Sequence, residues 1–235
     1  MDKFGLLTWI LGMVCGMNLA GLGLSFWIIE GGGARSQIQD RTISRGQFRE
    51  RLPLIALNLS VLVTLTACGL WLLGDLFVWE GQSALRVCWQ IAAIALVDDF
   101  FFYCFHRALH ENKWLYKHIH KIHHKSYTPL PIEYIYVHPL EWMGGALGVL
   151  FGVGLVLLLD DRGVTPLAFM IYSILRNLHE LDIHSGFRSR WFPKWLPFLG
   201  CTEHHDLHHA KPHSGNYGST FLLWDTLFKT RAKHS

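Results

Sequence analysis

Histidine is concentrated in two short stretches of this chain. Of the 15 histidines among 235 residues, most lie in FHRALHENKWLYKHIHKIHHK, residues 105–125, and CTEHHDLHHAKPH, residues 201–213. The first stretch holds an H-x-x-x-H pair and an H-x-x-H-H triplet, and the second holds another such triplet. On a helix, positions i, i+3 and i+4 share a face. The three imidazoles of a triplet can therefore converge on one cation, and together the stretches predict a metal site.

The pattern of ligand types narrows the kind of centre. Imidazole suits iron, zinc, copper and nickel, and a catalytic zinc ion takes about three protein ligands. The histidines of the pair and the two triplets are too many for one ion and suit two. The sequence lacks HExxH, which argues against a zinc metalloprotease, and lacks the Glu-x-x-His pattern of soluble di-iron carboxylate bundles. A histidine-rich dinuclear centre remains, with iron favoured.

Cysteine usage and net charge exclude several other classes. The 5 cysteines are isolated from one another, with no CxxC or CxxCH. This spacing argues against a thiolate zinc site, an iron–sulfur cluster and attached c-type haem. The formal net charge of +3 is modest, so no nucleic-acid partner is expected.

Long apolar segments must position these histidines. Two segments without charged residues, Phe4–Ile29 and Leu52–Gly74, are long enough to cross a bilayer. The first is expected to be a retained helix, because it is too long for the apolar part of a signal peptide. Further helices are predicted over Ser83–Phe105, Pro139–Leu159 and the shorter Val164–Leu178. The fold class expected is an all-α, polytopic integral membrane protein with about four to five membrane helices.

An arginine-rich linker predicts the orientation of these helices. It separates the first two segments and carries the cations Arg35, Arg41, Arg45, Arg49 and Arg51. Because positively charged loops remain in the cytoplasm, this end of the helices is expected to be cytoplasmic. Successive crossings then bring every histidine group to the same side. The histidines are thus expected to form a di-metal cap on the cytoplasmic face.

Carboxylates near the histidines are candidates for the outer layer of the centre. Metal-bound histidines usually donate their second N–H to a carboxylate or carbonyl. Asp99, Asp182 and Asp206 lie near the histidine groups and are predicted in this role. Downstream, SGNYG is expected to form a tight turn beside the centre, and STFLLWDTLF to pack against the helices. His118 and His234 are expected at the surface, whereas His213 is expected either to touch substrate or to lie at the surface.

The ordered segments HRALH, HKIHH and HDLHH resemble the three histidine boxes of the fatty acid hydroxylase and sterol desaturase superfamily. HKIHHKSYTPLPIEYIYVHPLE, LDIHSGF and HHDLHHAKPHSGNYGSTFLLWDTLF are most similar to its C4-methylsterol oxidase branch. The likeness covers roughly residues 98–230. We therefore expect a single membrane domain, 1–235, with N-terminal membrane helices in 1–97 and a catalytic region in 98–230.

The resemblance implies a non-haem di-iron monooxygenase that hydroxylates or desaturates an unactivated C–H bond of a lipid, sterol-like or fatty acyl. It implies two iron ions, dioxygen as co-substrate, a lipid entering from the bilayer, and an external ferredoxin-like or cytochrome electron donor with its reductase. The ligands that it implies are His106, His110, His120, His123, His124, His138, His184, His205, His208 and His209, with His179 and His204 as spare candidates.

Three alternatives belong to other classes. A membrane metal transporter would place its ligands midway through the spans, whereas these histidines lie beyond the span ends. A haem electron carrier would show a Soret band and needs far fewer histidines. A zinc-dependent hydrolase would act without dioxygen or reductant.

Overall fold

A computed structural model describes residues 3–33, 37–40, 43–188 and 198–232 of the chain. The described residues form α-helices and short 3₁₀ helices, with isolated β-bridges and no strand. The all-α prediction is confirmed. The α-helices are α1 (Lys3–Ile29), α2 (Arg45–Leu73), α3 (Ala84–Glu111), α4 (Lys113–His118), α5 (Pro139–Leu159), α6 (Pro166–Ile183), α7 (Thr202–Ala210) and α8 (Leu222–Leu227), and the 3₁₀ helices are Gly74–Leu76, His120–Lys125 and Pro131–Ile135.

Four helices of the described part are long and apolar enough to cross a membrane: α1, α2 with its 3₁₀ extension, α3 and α5. They coincide with four of the predicted segments. The fifth predicted segment forms α6, which does not reach the same combination of length and hydropathy.

Helix α2 begins earlier than predicted, because Ser44 caps it. The Ser44 hydroxyl accepts a hydrogen bond from the Gln47 backbone N–H at 3.2 Å, and the Gln47 side chain accepts one from the Ser44 N–H at 2.9 Å. This reciprocal pair satisfies two otherwise unpaired donors of the first turn. Arg45 and Arg49 are therefore part of a helix and not of a loop, while Arg35 and Arg41 lie outside the described residues.

Helix α3 is central and packs closely against α5 through glycines. At Gly152, a Cβ atom would lie 2.9 Å from the Cα atom of Ile94, and at Gly148 it would lie 3.0 Å from the backbone oxygen of Asp98. Only a residue without a side chain lets the two backbones approach this closely. The same approach brings the N-terminal end of α5 toward the histidines at the C-terminal end of α3.

Polar side chains hold both ends of this bundle. At the end remote from the histidines, the buried Arg86 of α3 donates to Asp160 at 2.6 Å, which fixes the turn after α5. At the histidine end, Asn58 of α2 donates to the backbone oxygens of Ile135 and Val137, both at 2.8 Å. These contacts hold the segment after the first triplet between the helices, with its buried carbonyls paired as burial requires.

Substitution of Gly152 by Ala is expected to destabilise the α3–α5 contact by about 1–3 kcal/mol, the usual cost of overpacking a close interface. Gly154→Ala is the matched control, because a Cβ atom there has nothing within 4 Å and alanine favours the helix. Thermal unfolding in detergent compares the two variants. An equal or smaller loss for Gly152→Ala would contradict the packing described.

Candidate metal centre

Nine buried histidines converge in two adjoining groups. In each group, one ring nitrogen of every histidine lies within 4.8 Å of the others. The first group contains His106, His110, His120, His124 and His208, and the second contains His123, His184, His205 and His209. The groups adjoin, since the rings of His123 and His209 in the second lie 5.7 and 5.1 Å from His124 of the first. The predicted clustering of histidines at one place is therefore present.

Neither triplet converges on one place, because each divides between the two groups. In the first triplet, His120 and His124 join the first group while His123 joins the second. The second triplet divides the other way, with His208 in the first group and His205 and His209 in the second. The two side chains of an adjacent pair point about 100° apart around an α-helix and about 120° apart around a 3₁₀ helix. Each HH pair therefore contributes to both groups and joins them.

The hydrogen bonds of the first group fix which ring nitrogens are bare. His106 and His208 donate from Nδ1 to the backbone oxygens of Tyr217 and Gly215, each at 2.8 Å. His120 donates from Nδ1 to a carboxylate oxygen of Glu141 at 2.8 Å. A neutral imidazole carries one proton, so Nε2 of all three rings presents a lone pair. The Nε2 atoms of His106 and His120 nevertheless lie 3.2 Å apart.

In the second group, one ring is fixed in the same way. His184 donates from Nδ1 to the Glu180 backbone oxygen at 2.9 Å, which leaves its Nε2 bare. That atom lies 3.0 Å from Nε2 of His205, which in turn lies 3.1 Å from Nε2 of His209. Imidazole nitrogens bind zinc at about 2.0–2.1 Å, so neighbouring ligands around such an ion lie about 3 Å apart. The spacing of the ring nitrogens in each group therefore fits one bound cation.

Burial keeps these imidazoles neutral. Burial, with a smaller contribution from neighbouring imidazoles, lowers the pKa of His184 to about 3. Burial likewise holds the pKa of His205 and His209 well below the ordinary value, and neighbouring rings act in the same direction. A neutral ring offers its lone pair to a metal ion, whereas a protonated ring does not. The groups are thus prepared for metal over the physiological pH range.

Glu141, whose carboxylate accepts the Nδ1 proton of His120, is a residue that the sequence analysis did not select. It interrupts the apolar segment of α5 and is 9% exposed. A buried carboxylate near the end of a membrane helix is costly and marks a functional position. That cost was the signal available in the sequence, but nothing in the spacing linked Glu141 to a particular histidine.

The predicted outer-layer carboxylates have other contacts. Asp99 accepts hydrogen bonds from the backbone N–H groups of Thr220 and Phe221, at 2.7 and 3.0 Å, and ties this segment to α3. Asp206 accepts from the Gln39 side chain at 3.1 Å, and burial raises the pKa of Asp206 to about 6. The backbone oxygen of Asp182 accepts from the Thr202 hydroxyl at 3.1 Å. Backbone carbonyls, rather than these aspartates, orient the rings of His106, His184 and His208.

Three other candidate ligands lie outside both groups. His138 caps α5, with Nδ1 accepting the Leu140 N–H at 3.1 Å. His179 donates to the backbone oxygen of Ser219 at 3.1 Å, and Nε2 of His204 lies 3.4 Å from a carboxylate oxygen of Asp225.

The histidines expected at the surface also lie outside both groups. His118 is exposed, as predicted, and His234 lies outside the described residues. His213, for which two alternatives were open, is exposed too.

The turn predicted at SGNYG is present, and it orients the first group. Gly215 has φ of +106°, a conformation that favours glycine, and its carbonyl accepts the His208 proton. Asp225 of α8 then accepts the N–H groups of Tyr217 and Gly218 at 3.0 and 2.8 Å. The segment after the turn packs on α3 through Asp99, as predicted.

Replacement of Glu141 by Gln is expected to weaken metal binding by roughly 10- to 100-fold, the usual effect of removing a charged partner from a ligand histidine. Isothermal titration of the metal-free protein with a divalent ion measures this change. Glu111→Gln is the control, because it alters an exposed carboxylate of α3 that pairs with Arg107 of the same helix. Equal affinities in both variants would contradict the role of Glu141.

The metal-free protein is expected to lose stability as the pH falls from 7 to 5. Histidines of the unfolded chain titrate near 6.5, whereas the pKa of folded His184 is about 3. Between these values the unfolded chain binds more protons, so acidification favours unfolding. The stabilisation is fully present above about pH 6.5 and is lost as the pH falls toward 3. Thermal midpoints across this range should decline equally in the His118→Gln control, and a flat profile would contradict neutral burial.

Comparisons with known proteins show the family of this chain. Residues 91–230 match the family model described as fatty acid hydroxylase. Methylsterol monooxygenase 1 of Rattus norvegicus is 39% identical over 141 residues, which cover 60% of this chain and 45% of that protein. Methylsterol monooxygenase 2-2 of Arabidopsis thaliana is 34% identical over 155 residues, covering 65% and 54%.

A further relative is named for a different activity. Very-long-chain aldehyde decarbonylase GL1-11 of Oryza sativa subsp. indica is 38% identical over 144 residues, which cover 60% of this chain and 52% of that protein. The chain spans about half the length of these relatives. No solved structure matches it. The matched residues include both histidine groups, and the chain belongs to the fatty acid hydroxylase family.

Proposed function

We propose that this integral membrane protein is a dinuclear metal oxygenase that hydroxylates or desaturates an unactivated C–H bond of a lipid, sterol-like or fatty acyl. The observation that carries the proposal is the convergence of nine buried, neutral imidazoles in two adjoining groups. In hydroxylation, dioxygen, two electrons and two protons convert R–H to R–OH and water. The similarity to two methylsterol monooxygenases supports oxidation of a lipid.

The proposed ligands are the nine histidines of the two groups, with one ion in each. Imidazole donors suit iron, zinc, copper and nickel, and iron is the proposed metal because the relatives named monooxygenases use dioxygen chemistry. When bound, iron would supply the one-electron redox chemistry that activation of dioxygen requires. His138 is not included, because its Nδ1 accepts a hydrogen bond from the start of α5.

The side chains around the ions have three proposed tasks. Glu141 and the carbonyls of Gly215 and Tyr217 hold the Nδ1 protons and turn the bare nitrogens toward the metals. Burial of the rings excludes bulk water from the reacting region. Phe102, partly exposed and 5.2 Å between ring centroids from His106, is the proposed contact for a lipid approaching from the bilayer.

The proposed orientation places the metal centre on the cytoplasmic face. The arginines that begin α2 lie at the same end of the helices as the histidines, since Arg51 donates to the Lys125 backbone oxygen at 2.9 Å and pairs with Glu133 at 2.5 Å. Positively charged ends of membrane helices remain in the cytoplasm. Electrons would then come from an external ferredoxin-like or cytochrome donor in that compartment.

Removal of one histidine from each group should reveal the two ions separately. We expect the unaltered chain to carry two irons. The His110→Ala and His205→Ala variants are each expected to lose at least one iron and all lipid oxidation activity. His118→Ala and His138→Ala are controls that should keep both. Elemental analysis of protein in detergent, with product analysis of added lipids under oxygen, measures these outcomes.

Several results would contradict the proposal. Loss of iron in His138→Ala would show that the ligand set is wrong. A Soret band would indicate a haem carrier, and turnover without dioxygen or reductant would indicate a zinc-dependent hydrolase. Retention of both irons in His110→Ala or His205→Ala would contradict the assignment of the groups.

A further inference from the structure

Four lysines follow one another at every fourth position on the outside of the metal centre. They are Lys113 and Lys117 of α4, and Lys121 and Lys125 of the following 3₁₀ helix. All four are exposed, and none forms an ion pair with any residue that the structure describes. We call these four residues with Trp114 the lysine surface. Exposed like charges in one short segment, without ion pairs, give a positive potential that attracts an acidic partner.

The inner side of α4 contacts the first histidine group through one aromatic ring. Tyr116 is half-buried, and its ring centroid lies 5.5 Å from that of His110 and 6.1 Å from that of His124. Lys113 and Lys117 of α4 are three residues before and one residue after Tyr116, so both lie within one helical turn of it. A single layer of side chains thus separates the lysine surface from the rings proposed to hold a metal.

A large aromatic side chain lies among these charges. Trp114 is 62% exposed, and its ring lies 4.9 Å from that of His118. An exposed tryptophan beside positively charged residues is typical of protein interfaces, where tryptophan contributes much of the binding energy. The surface therefore combines an apolar anchor with charges that guide an approaching partner.

We propose that the lysine surface is the docking site of an acidic one-electron carrier protein. This inference rests on the proposed function, which needs two external electrons. Each docked, reduced carrier gives up one electron and leaves oxidised, so two successive dockings supply the pair. With two protons, these electrons reduce one atom of dioxygen to water while the other enters the substrate. Tyr116 lies between the docked carrier and the first group.

An anionic lipid surface is the competing occupant of a basic, tryptophan-containing segment. The position of the segment favours a protein carrier. The lysine surface lies beyond the end of α3 and covers the histidines through Tyr116. Lipid headgroups there would cover the shortest path to the metals and would not deliver electrons.

Binding of a defined carrier tests the proposal. The full chain is placed in nanodiscs of uncharged phosphatidylcholine, and its affinity for an oxidised, acidic plant-type [2Fe–2S] ferredoxin is measured by biolayer interferometry at two salt concentrations. We expect Lys113→Glu/Lys117→Glu to weaken binding at least about tenfold at low salt, and Lys113→Arg/Lys117→Arg to restore it. Both variants must retain the metal content of the unaltered chain.

A matched pair of single variants separates the surface from net charge. Lys117→Glu and Lys3→Glu change the charge equally, but Lys3 lies at the opposite end of the helices, beside Asp75. Only Lys117→Glu should weaken binding. Equal affinities of all variants, or equal losses from both single variants, would overturn the docking site. Loss of binding to phosphatidylserine vesicles without loss of ferredoxin binding would instead assign the surface to lipid and overturn it.

Failure of the proposed function has a different signature. A single turnover requires no docking: the unaltered, iron-loaded chain is reduced with dithionite, freed of excess reductant and then exposed to oxygen with lipid. Absence of oxidised lipid there would contradict the oxygenase, whereas the ferredoxin affinities of the variants decide the docking site in either case.

Discussion

Bare ring nitrogens facing one another in a buried site are the constraint on which this structure depends. Nε2 of His106 and of His120 each present a lone pair, and they lie 3.2 Å apart. Buried polar atoms without partners cost about 1–3 kcal/mol each, and facing lone pairs add repulsion. A cation between the rings converts this cost into bonds. The nine-histidine arrangement is therefore best understood as a metal-binding site. Its rings are neutral, and a bound cation would supply the positive charge that pairs with their lone pairs.

The rest of the chain serves to place those nitrogens. Glycines let α5 approach α3 closely, and this approach brings Glu141 to the Nδ1 proton of His120. Asp99 and Asp225 hold the C-terminal segment against α3, so that two of its carbonyls orient His106 and His208. Buried carboxylates that are remote from the metals are thus as necessary to the site as its ligands, because they fix the backbone that turns the rings.

The sequence predicted the four long apolar helices and, by spacing, eight of the nine histidines that the structure brings together, because apolar length and histidine spacing are local signals. The ninth, His184, was implied only by the family resemblance. The sequence did not predict how the triplets divide between groups, which depends on how α7 lies against the 3₁₀ helix at His120–Lys125. Asp99 and Asp206 were placed near histidines in sequence, but their partners are Thr220 and Gln39. Glu141 reaches its histidine only through packing of α5 on α3, which no local pattern records.

Anomalous diffraction at the iron edge, from crystals of the iron-loaded chain, tests the dinuclear centre most directly. Two peaks are expected, one among the Nε2 atoms of His106, His110, His120, His124 and His208, and one among the ring nitrogens of His123, His184, His205 and His209. A single peak, or an iron bound by His138 or by the aspartates in place of either group, would contradict the centre described.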